Sequence, residues 1–314
     1  MFELRHQKIW VAGHSGLVGS ALCRRLNEAE CEILTVPHSD LDLTRQTETE
    51  EWLVEHKPDG VILAAAHVGG IHANSTYPAE FIYNNLAIAQ NVIHGSYKAG
   101  VKKLLFLGSS CIYPKNAPNP ISEDMLLTDS LESTNEPYAV AKISGIKLCE
   151  AYRVQYGCDF ISAMPCNIYG EGDMYDLKNS HVIPALLMKI HEAKEKKYPS
   201  VEIWGSGQPL REFLYVDDLA DALVFLMENY SELQHVNIGT GYDISIKDLA
   251  RALCEVVGYQ GKLVFNTDKP DGVMRKLMDS SKMNDMGWGA NIDFKEGLAR
   301  AYADFLKRKL MHAA

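Results

Sequence analysis

The sequence has few of the features that mark disulfide-stabilised, metal-binding or membrane-spanning proteins. Its seven cysteines are scattered through 314 residues without a CxxC pair, so we expect no disulfide framework, zinc module or other metal site. The uncharged stretch 61–79 contains two histidines, two glycines and a proline, which makes it too polar to span a membrane. The apolar run Ile9–Gly13 is too short for a signal peptide. These absences favour a cytoplasmic protein with reduced thiols.

Basic residues are also in the minority. Thirty-one Lys and Arg against 41 Asp and Glu give a formal net charge of −10 and a pI near 5.6. This balance argues against a nucleic-acid partner or an anionic membrane surface. A small anionic ligand needs only a local basic patch and stays possible. The apolar fraction of 46% is that of an ordinary globular protein large enough for one big α/β unit or two domains.

Short apolar runs alternate with helical patterns through the first half of the chain. The runs lie at 8–12, 31–36, 60–66, 103–107 and 159–164, and the helical stretches lie at 17–26, 44–57, 79–99 and 137–157. This alternation predicts an α/β fold with a doubly wound parallel (Rossmann) sheet, whose ligands bind at the carboxyl ends of the strands. After residue 168 the pattern becomes irregular, so we expect a smaller, interleaved substrate domain. Residues 1–168 with 212–240 would bind a dinucleotide, and residues 169–211 with 241–314 the substrate.

A glycine-rich turn follows the first apolar run. Gly13-His-Ser-Gly16-Leu-Val-Gly19 has GxxGxxG spacing instead of the commoner GxGxxG. Glycine lets the backbone approach a pyrophosphate, and the helix that follows presents free N–H groups to it. Glycines in strand–helix turns are often only turn formers, but the position in the first βα unit favours a dinucleotide site. The small residues Ala64–Ala66 after the third run are consistent with either interpretation.

Tyr138 and Lys142 lie four residues apart in a predicted helix, which places them on one helix face. A free tyrosine has a pKa near 10, and a neighbouring ammonium is expected to lower it toward the neutral range. Such a pair is a common coincidence by itself. Ser109 follows the fourth apolar run, where its hydroxyl is positioned to reach the same substrate oxygen. Together with the glycine turn, these residues form a far more specific signal.

These elements resemble the extended short-chain dehydrogenase/reductase family. Within it, five segments resemble the members that epimerise GDP-4-keto-6-deoxy-D-mannose at C3 and C5 and reduce it at C4 to GDP-L-fucose. The segments are Leu107–Pro114, Asn135–Lys142, Asn179–Pro184, and Trp204–Gly207 with Arg211–Phe213. The resemblance covers nearly the whole chain. It implies a bifunctional epimerase-reductase that uses a GDP-sugar and NADP(H).

By this resemblance, Tyr138 donates a proton to the C4 oxygen, Lys142 assists it, and Ser109 binds the sugar. Cys111 and His181 match the family's epimerisation pair; a thiol and an imidazole both exchange protons near neutral pH. Without the resemblance, both would be ordinary packing or surface residues. The implied cofactor-binding residues are Gly13, Ser15, Gly16, Leu17, Gly19, His38, Ala65, Lys142 and His181. The implied substrate-binding residues are Asn167, Asn179, Lys189, Trp204, Arg211 and Lys276.

The choice of cofactor depends on two departures from the family pattern. Ser15 and His38 stand where several bacterial relatives carry arginines that grip the NADP 2′-phosphate. No acidic residue ends the second apolar run, as a ribose-binding Asp does in NAD enzymes, so NADP(H) is predicted. The resemblance also implies a homodimer formed by helices 79–99 and 137–157, although those helices would also serve merely to cover the sheet.

Three other functions are consistent with the sequence. The first is a GDP-colitose or GDP-deoxyheptose synthase on the same fold, and the second is a C4 reductase without epimerase activity. The third is a dinucleotide-sensing module without catalysis. The presence of Cys111 and His181 disfavours the pure reductase, and the presence of Tyr138 and Lys142 disfavours the sensor.

Overall fold

The computed structural model describes residues 2–176, 180–269 and 271–313. The strands are β1 (Lys8–Ala12), β2 (Glu32–Leu34), β3 (Gly60–Leu63), β4 (Lys103–Leu107), β5 (Asp159–Pro165), β6 (Asn167–Tyr169), β7 (Ser200–Trp204), β8 (Leu210–Tyr215), β9 (Val236–Ile238), β10 (Asp243–Ser245), β11 (Lys262–Asn266) and β12 (Arg275–Lys276). The helices are α1 (Leu17–Leu26), α2 (Gln46–His56), α3 (Ile71–Thr76), α4 (Pro78–Ala99), α5 (Glu136–Tyr156), α6 (Val182–Glu195), α7 (Val216–Asn229), α8 (Ile246–Val257), α9 (Ser281–Asp285) and α10 (Phe294–Ala313).

Six parallel strands form the main sheet, in the order β2-β1-β3-β4-β5-β9. Every residue of β3 and β4 is buried, because α1 packs with α7 while α2, α4 and α5 form a second helical layer. Strands covered on both faces read as continuous apolar runs, which is the pattern in the sequence. The predicted α/β class with a parallel Rossmann-type sheet is therefore confirmed. Strand β3 is shorter than predicted, because it ends opposite Ala12, where its partner β1 ends.

A second, smaller group of strands follows the main sheet. Strand β8 pairs with β6 and β12 in parallel and with β10 in antiparallel orientation, and β7 pairs with β11. Strand β9 returns to the main sheet between these elements, so the two groups alternate along the chain. The predicted domain boundaries remain a prediction. Within the residues that the structure describes, no helix is long and apolar enough to cross a membrane.

Candidate active site

The loop after β4 presents Ser109 at the carboxyl edge of the main sheet. Its hydroxyl accepts a hydrogen bond from the backbone N–H of Cys111 at 3.4 Å and so caps the short 3₁₀ turn Ser110–Ile112. Gly108, just before it, lets the loop pass close to β5, where a Cβ would lie 2.2 Å from the sulfur of Met164. The loop is therefore pressed against β5, and Cys111 is buried within it.

Helix α5 brings Tyr138 and Lys142 to this loop. Pro137 lies in its first turn, where a missing N–H costs nothing. The Ser109 side chain lies close enough to the Tyr138 hydroxyl to act on its pKa, in the direction opposite to burial. The buried Lys142 donates to the carbonyl of Leu107 at 2.8 Å, and its Nζ lies 5.7 Å from the centre of the Tyr138 ring. Ser109 also accepts from the backbone N–H of Cys111 and acts on the pKa of its thiol, so one serine lies beside both the tyrosine and the thiol.

The protonation states of this cluster are set mainly by burial. Burial raises the pKa of Tyr138 well above its usual range, and the nearby Cys111 adds to the effect. The tyrosine pKa, which we expected Lys142 to lower, is thus raised instead, because desolvation of the phenolate is the largest effect on it. Burial also lowers the pKa of Lys142 to about 8. Tyr138 is consequently a protonated hydroxyl, suited to donate a proton.

Cys111 lies in the field of two lysines. Burial raises the pKa of its thiol, while the charges of Lys276 and Lys142 and the hydrogen bond to Ser109 act in the opposite direction. Lys276 is the register partner of Arg211 across the paired strands β12 and β8. Burial lowers the pKa of Lys276, and the charge of Arg211 lowers it further. The cluster thus extends from the thiol toward a basic pair suited to an anionic group.

His181 is the N-cap residue of α6, on the side of the second group of strands. Its side chain is accessible to solvent, but the surrounding protein partly desolvates it and lowers its pKa. The imidazole is therefore mainly neutral near pH 7. The hydrogen bonds among the described residues do not join it to the Ser109 cluster, so its predicted partnership with Cys111 remains a prediction.

The glycine turn after β1 has the shape of a cradle. Gly13 has a φ of +90°, and a Cβ there would lie 2.6 Å from the backbone nitrogen of Ala65. A Cβ on Gly19 would lie 2.0 Å from the carbonyl oxygen of Gly13. Gly16 is the N-cap of α1 and has no side chain to cap the helix. The first N–H groups of the helix, starting at Leu17, are therefore available to an anion. These residues fit a dinucleotide pyrophosphate.

Ser15 and His38 are both exposed, in the loops that follow β1 and β2. Because these strands are parallel neighbours, the two loops lie at the same edge of the sheet. This arrangement fits a 2′-phosphate site made of a hydroxyl and an imidazole. Among the described residues, no group of three or more His, Cys, Asp or Glu side chains is arranged to hold a metal ion.

Of the remaining predicted substrate residues, Asn167 and Trp204 lie in the second group of strands and Lys189 lies on α6. Trp204 is 61% exposed, and the ammonium groups of Lys189 and Lys269 lie 5.0 Å and 5.3 Å from its ring centre. Asn167 donates to the carbonyl of Glu212 at 2.8 Å and so helps to hold β6 on β8. Asn179 lies outside the described residues.

Sequence reasoning missed three polar residues here. Lys269 contacts Trp204 from a distant loop. Asp271 accepts two hydrogen bonds from Ser206, at 2.9 and 2.6 Å, and attracts Arg211. Buried Glu212 accepts from the backbone of Thr240, Gly241 and Met278, which fixes the strand that carries Lys276. Only Glu212 had a sequence signal, as the acid that directly follows Arg211.

The family model described as NAD dependent epimerase/dehydratase family matches residues 9–239. The chain belongs to this family. Among curated family members, it is 56% identical over 306 residues to the GDP-L-fucose synthase of Sinorhizobium fredii, covering 98% of each chain. It is 58% identical over 301 residues to GDP-L-fucose synthase 1 of Arabidopsis thaliana, covering 96% of this chain and 93% of the relative.

Other family members are less similar. The GDP-L-colitose synthase of Yersinia pseudotuberculosis is 39% identical over 304 residues, covering 96% of this chain and 99% of the relative. A crystal structure of a GDP-L-fucose synthetase from Naegleria fowleri bound to NADP has a TM-score of 0.90 at 26% identity, covering 99% of this chain and 97% of that one. The family fold thus extends through the whole chain.

Proposed function

We propose that this protein converts GDP-4-keto-6-deoxy-D-mannose to GDP-L-fucose by epimerisation at C3 and C5 and NADPH-dependent reduction at C4. The observation that carries the proposal is that Ser109 accepts from the backbone N–H of Cys111 and lies close enough to the Tyr138 hydroxyl and the Cys111 thiol to act on the pKa of both. A proton donor for the C4 ketone and a thiol able to exchange protons with C3 and C5 thereby share one site. The names of the relatives that are more than half identical over nearly the full length support the same activity.

Reduction requires one hydride at C4 and one proton at the C4 oxygen. When bound, NADPH supplies the hydride. Tyr138 is held protonated by burial and donates its proton to the oxygen as negative charge develops there. Lys142, whose ammonium lies over the tyrosine ring, stabilises the phenolate that remains until solvent returns a proton.

Epimerisation uses the same ketone as an electron sink. The C4 carbonyl acidifies the hydrogens at C3 and C5, so removal of either gives an enolate whose charge lies on the C4 oxygen. The hydroxyls of Ser109 and Tyr138 stabilise that oxygen as hydrogen-bond donors. Of Cys111 and His181, one accepts the proton from the carbon and the other returns a proton to the opposite face, so the net change is inversion.

The GDP moiety binds across the second group of strands. Arg211 and Lys276 lie on paired strands, where they neutralise the diphosphate. The exposed ring of Trp204 provides a stacking surface for a flat base, and Lys189 lies beside it. This places the sugar, at the far end of the diphosphate, next to Cys111, whose thiol is within the field of Lys276.

Three further properties belong to the proposal. NADPH is preferred over NADH, because Ser15 and His38 are available for the 2′-phosphate and no acid ends β2. The protein acts in the cytoplasm, since the Cys111 thiol must stay reduced. Two copies pair through α4 and α5, whose outer faces expose Tyr83 and Val154 at 68% and 75%; light scattering in solution tests this.

A GDP-colitose synthase is the second candidate, supported by the 39% identical relative. Its substrate lacks the C3 hydroxyl. The two candidates are separated by supplying purified protein and NADPH with GDP-4-keto-6-deoxy-mannose or with its 3-deoxy counterpart, and following NADPH absorbance. We expect the mannose-derived ketone to be consumed with the higher kcat/KM. A clear preference for the 3-deoxy ketone would support the second candidate instead.

A further inference from the structure

The C-terminal helix α10 contacts the chain on both sides of His181. On the upstream side lies the segment 170–176, which follows β6. The Asp304 carboxylate, whose side chain is only 9% exposed, accepts a hydrogen bond from the Gly172 N–H at 3.0 Å. The same carboxylate lies 2.9 Å from Nε of Arg308, one turn along α10. Because the acceptor is charged and held by its own cation, this is a strong attachment.

A second attachment joins the same segment to α10. The Tyr175 hydroxyl donates to the carbonyl of Ala301 at 2.9 Å, and the Tyr175 ring meets Phe305 edge-on with 4.9 Å between ring centres. Two hydrogen bonds and a ring contact therefore fix residues 172 and 175. Six residues later the chain reaches His181.

On the downstream side, α10 holds α6, the helix that begins directly after His181. The Phe305 ring also contacts His191 of α6, with ring centres 5.1 Å apart. Lys309 Nζ lies 2.8 Å from Nε2 of His191, and the Tyr302 hydroxyl lies 3.0 Å from Nδ1. Since an ammonium only donates, Nε2 is the acceptor and Nδ1 carries the proton that reaches Tyr302. The imidazole is thus held from both sides.

Gly172 links this arrangement to the glycine turn. Its φ is +98°, and a Cβ at this position would lie 3.2 Å from Oγ of Ser20, 3.7 Å from Cα of Leu17 and 3.8 Å from Nη2 of Arg308. The residue therefore sits between the first turn of α1 and the Asp304–Arg308 pair.

We propose that Asp304 is a positioning residue for His181. Its carboxylate anchors the segment 170–176 to α10 while α10 also anchors α6, so that His181 approaches the sugar from a fixed direction. The role of His181 in proton exchange rests on the function proposed above. Loss of the anchor should weaken epimerisation, which needs His181, more than reduction, which uses Tyr138 and Lys142 on a different helix.

The test compares Asp304→Ala with Glu296→Ala. Glu296 also forms an i,i+4 ion pair within α10, with Arg300 at 2.5 Å on the exposed face. Glu296→Ala therefore controls for the loss of an acidic side chain and of an ion pair within the helix. Hydrogen–deuterium exchange read by mass spectrometry should show the peptide containing residues 170–176 exchanging several-fold faster in Asp304→Ala only, because Gly172 loses its acceptor. This measurement does not depend on any activity.

The activity measurement is the rate of epimerisation at C3 and C5 relative to the rate of reduction at C4. In Asp304→Ala, deuterium uptake from solvent at C3 and C5 should fall about tenfold or more relative to C4 reduction, so the unepimerised GDP-6-deoxyhexose accumulates. Asp304→Asn, which keeps an oxygen acceptor for Gly172, should restore most of the exchange. If Asp304→Ala is too unstable, Tyr175→Phe, which removes only the hydrogen bond to Ala301, should shift the partition in the same direction.

Two results would overturn the positioning role. One is an unchanged peptide exchange rate in Asp304→Ala. The other is a proportional loss of epimerisation and reduction in Asp304→Ala and Tyr175→Phe, which is what a general loss of structure produces. Failure of the proposed function appears elsewhere, as absence of exchange and reduction in the wild-type protein.

Discussion

Replacing Tyr138 with phenylalanine removes the group to which reduction is assigned and little else. The ring remains, together with its edge contact to Phe81 at 6.2 Å between ring centres and its position beside the Lys142 ammonium. The lost interaction is that of the hydroxyl with the nearby Ser109 side chain. Because a typical hydrogen bond contributes about 1 kcal/mol net, we expect the variant to fold with only a modest loss of stability.

The catalytic effect should be much larger and should fall on one reaction. A positioned general acid contributes about 10²–10⁴-fold to a proton-transfer step, so C4 reduction should fall by at least about 100-fold. Epimerisation needs the C4 oxygen only to be polarised, and Ser109 still donates to it. We therefore expect deuterium uptake at C3 and C5 to fall by no more than about tenfold.

The assay runs both reactions on one sample. The variant is incubated in D₂O with GDP-4-keto-6-deoxy-mannose and NADPH, NADPH absorbance reports reduction, and NMR of the sugar reports deuterium at C3 and C5. Ser144→Ala is a matched control, because it also removes one hydroxyl from α5, but one whose hydrogen bond goes to the exposed turn at Val140. Normal reduction by Tyr138→Phe would refute the assignment, and equal loss of both reactions would refute the separation of roles.

Three further results follow from the same structure. Cys111→Ser and His181→Asn should each lower deuterium exchange at C3 and C5 by about 100-fold or more, because neither a hydroxyl nor an amide exchanges protons readily near neutral pH. Both variants should still reduce the unepimerised ketone slowly. Wild-type exchange in Cys111→Ser would show that Cys111 is only a packing residue. In fluorescence titrations, NADPH should bind more tightly than NADH, and Ser15→Ala and His38→Ala should each reduce this difference in affinity. Equal affinity of the wild type for the two cofactors would show that Ser15 and His38 do not form a 2′-phosphate site. Burial raises the pKa of Asp173 from 3.8 to about 7, so the protonated side chain stabilises the folded protein at pH 4 and this stabilisation is lost as the pH rises through 7. Relative to Asp173→Asn, the wild type should lose at most about 4 kcal/mol of unfolding free energy over that interval. The same change in unfolding free energy for both proteins between pH 5 and pH 8, measured by urea unfolding, would contradict the pKa shift.

Much of the main sheet could be predicted because its strands and its first turn have recognisable local sequence patterns. Strands β1 and β4 occupy the predicted residues 8–12 and 103–107, since a strand covered on both faces has a nearly continuous apolar sequence. The glycine turn was predictable because only glycine tolerates the close approaches at Gly13 and Gly19. The Ser109 and Tyr138 contact was predictable from the parallel topology, which brings the carboxyl end of β4 to the start of α5.

The rest depends on tertiary contacts that no sequence pattern encodes. The pKa of Tyr138 was predicted to fall, but it rises because burial, which no local pattern reveals, is the largest effect on it. Lys269 reaches the ring of Trp204 from a loop 65 positions away. Asp304 and Gly172 are separated by 132 residues, and both look like ordinary helix and turn residues in the sequence.

The central claim is that one cluster performs two chemically different reactions on one sugar. The most direct test is NMR of the product formed by the wild-type protein from GDP-4-keto-6-deoxy-D-mannose and NADPH in D₂O. We predict GDP-L-fucose that carries deuterium at C3 and C5 and protium, from the hydride, at C4. A reduced product that retains protium at C3 and C5 and the D-configuration would contradict the claim, because reduction would then proceed without epimerisation.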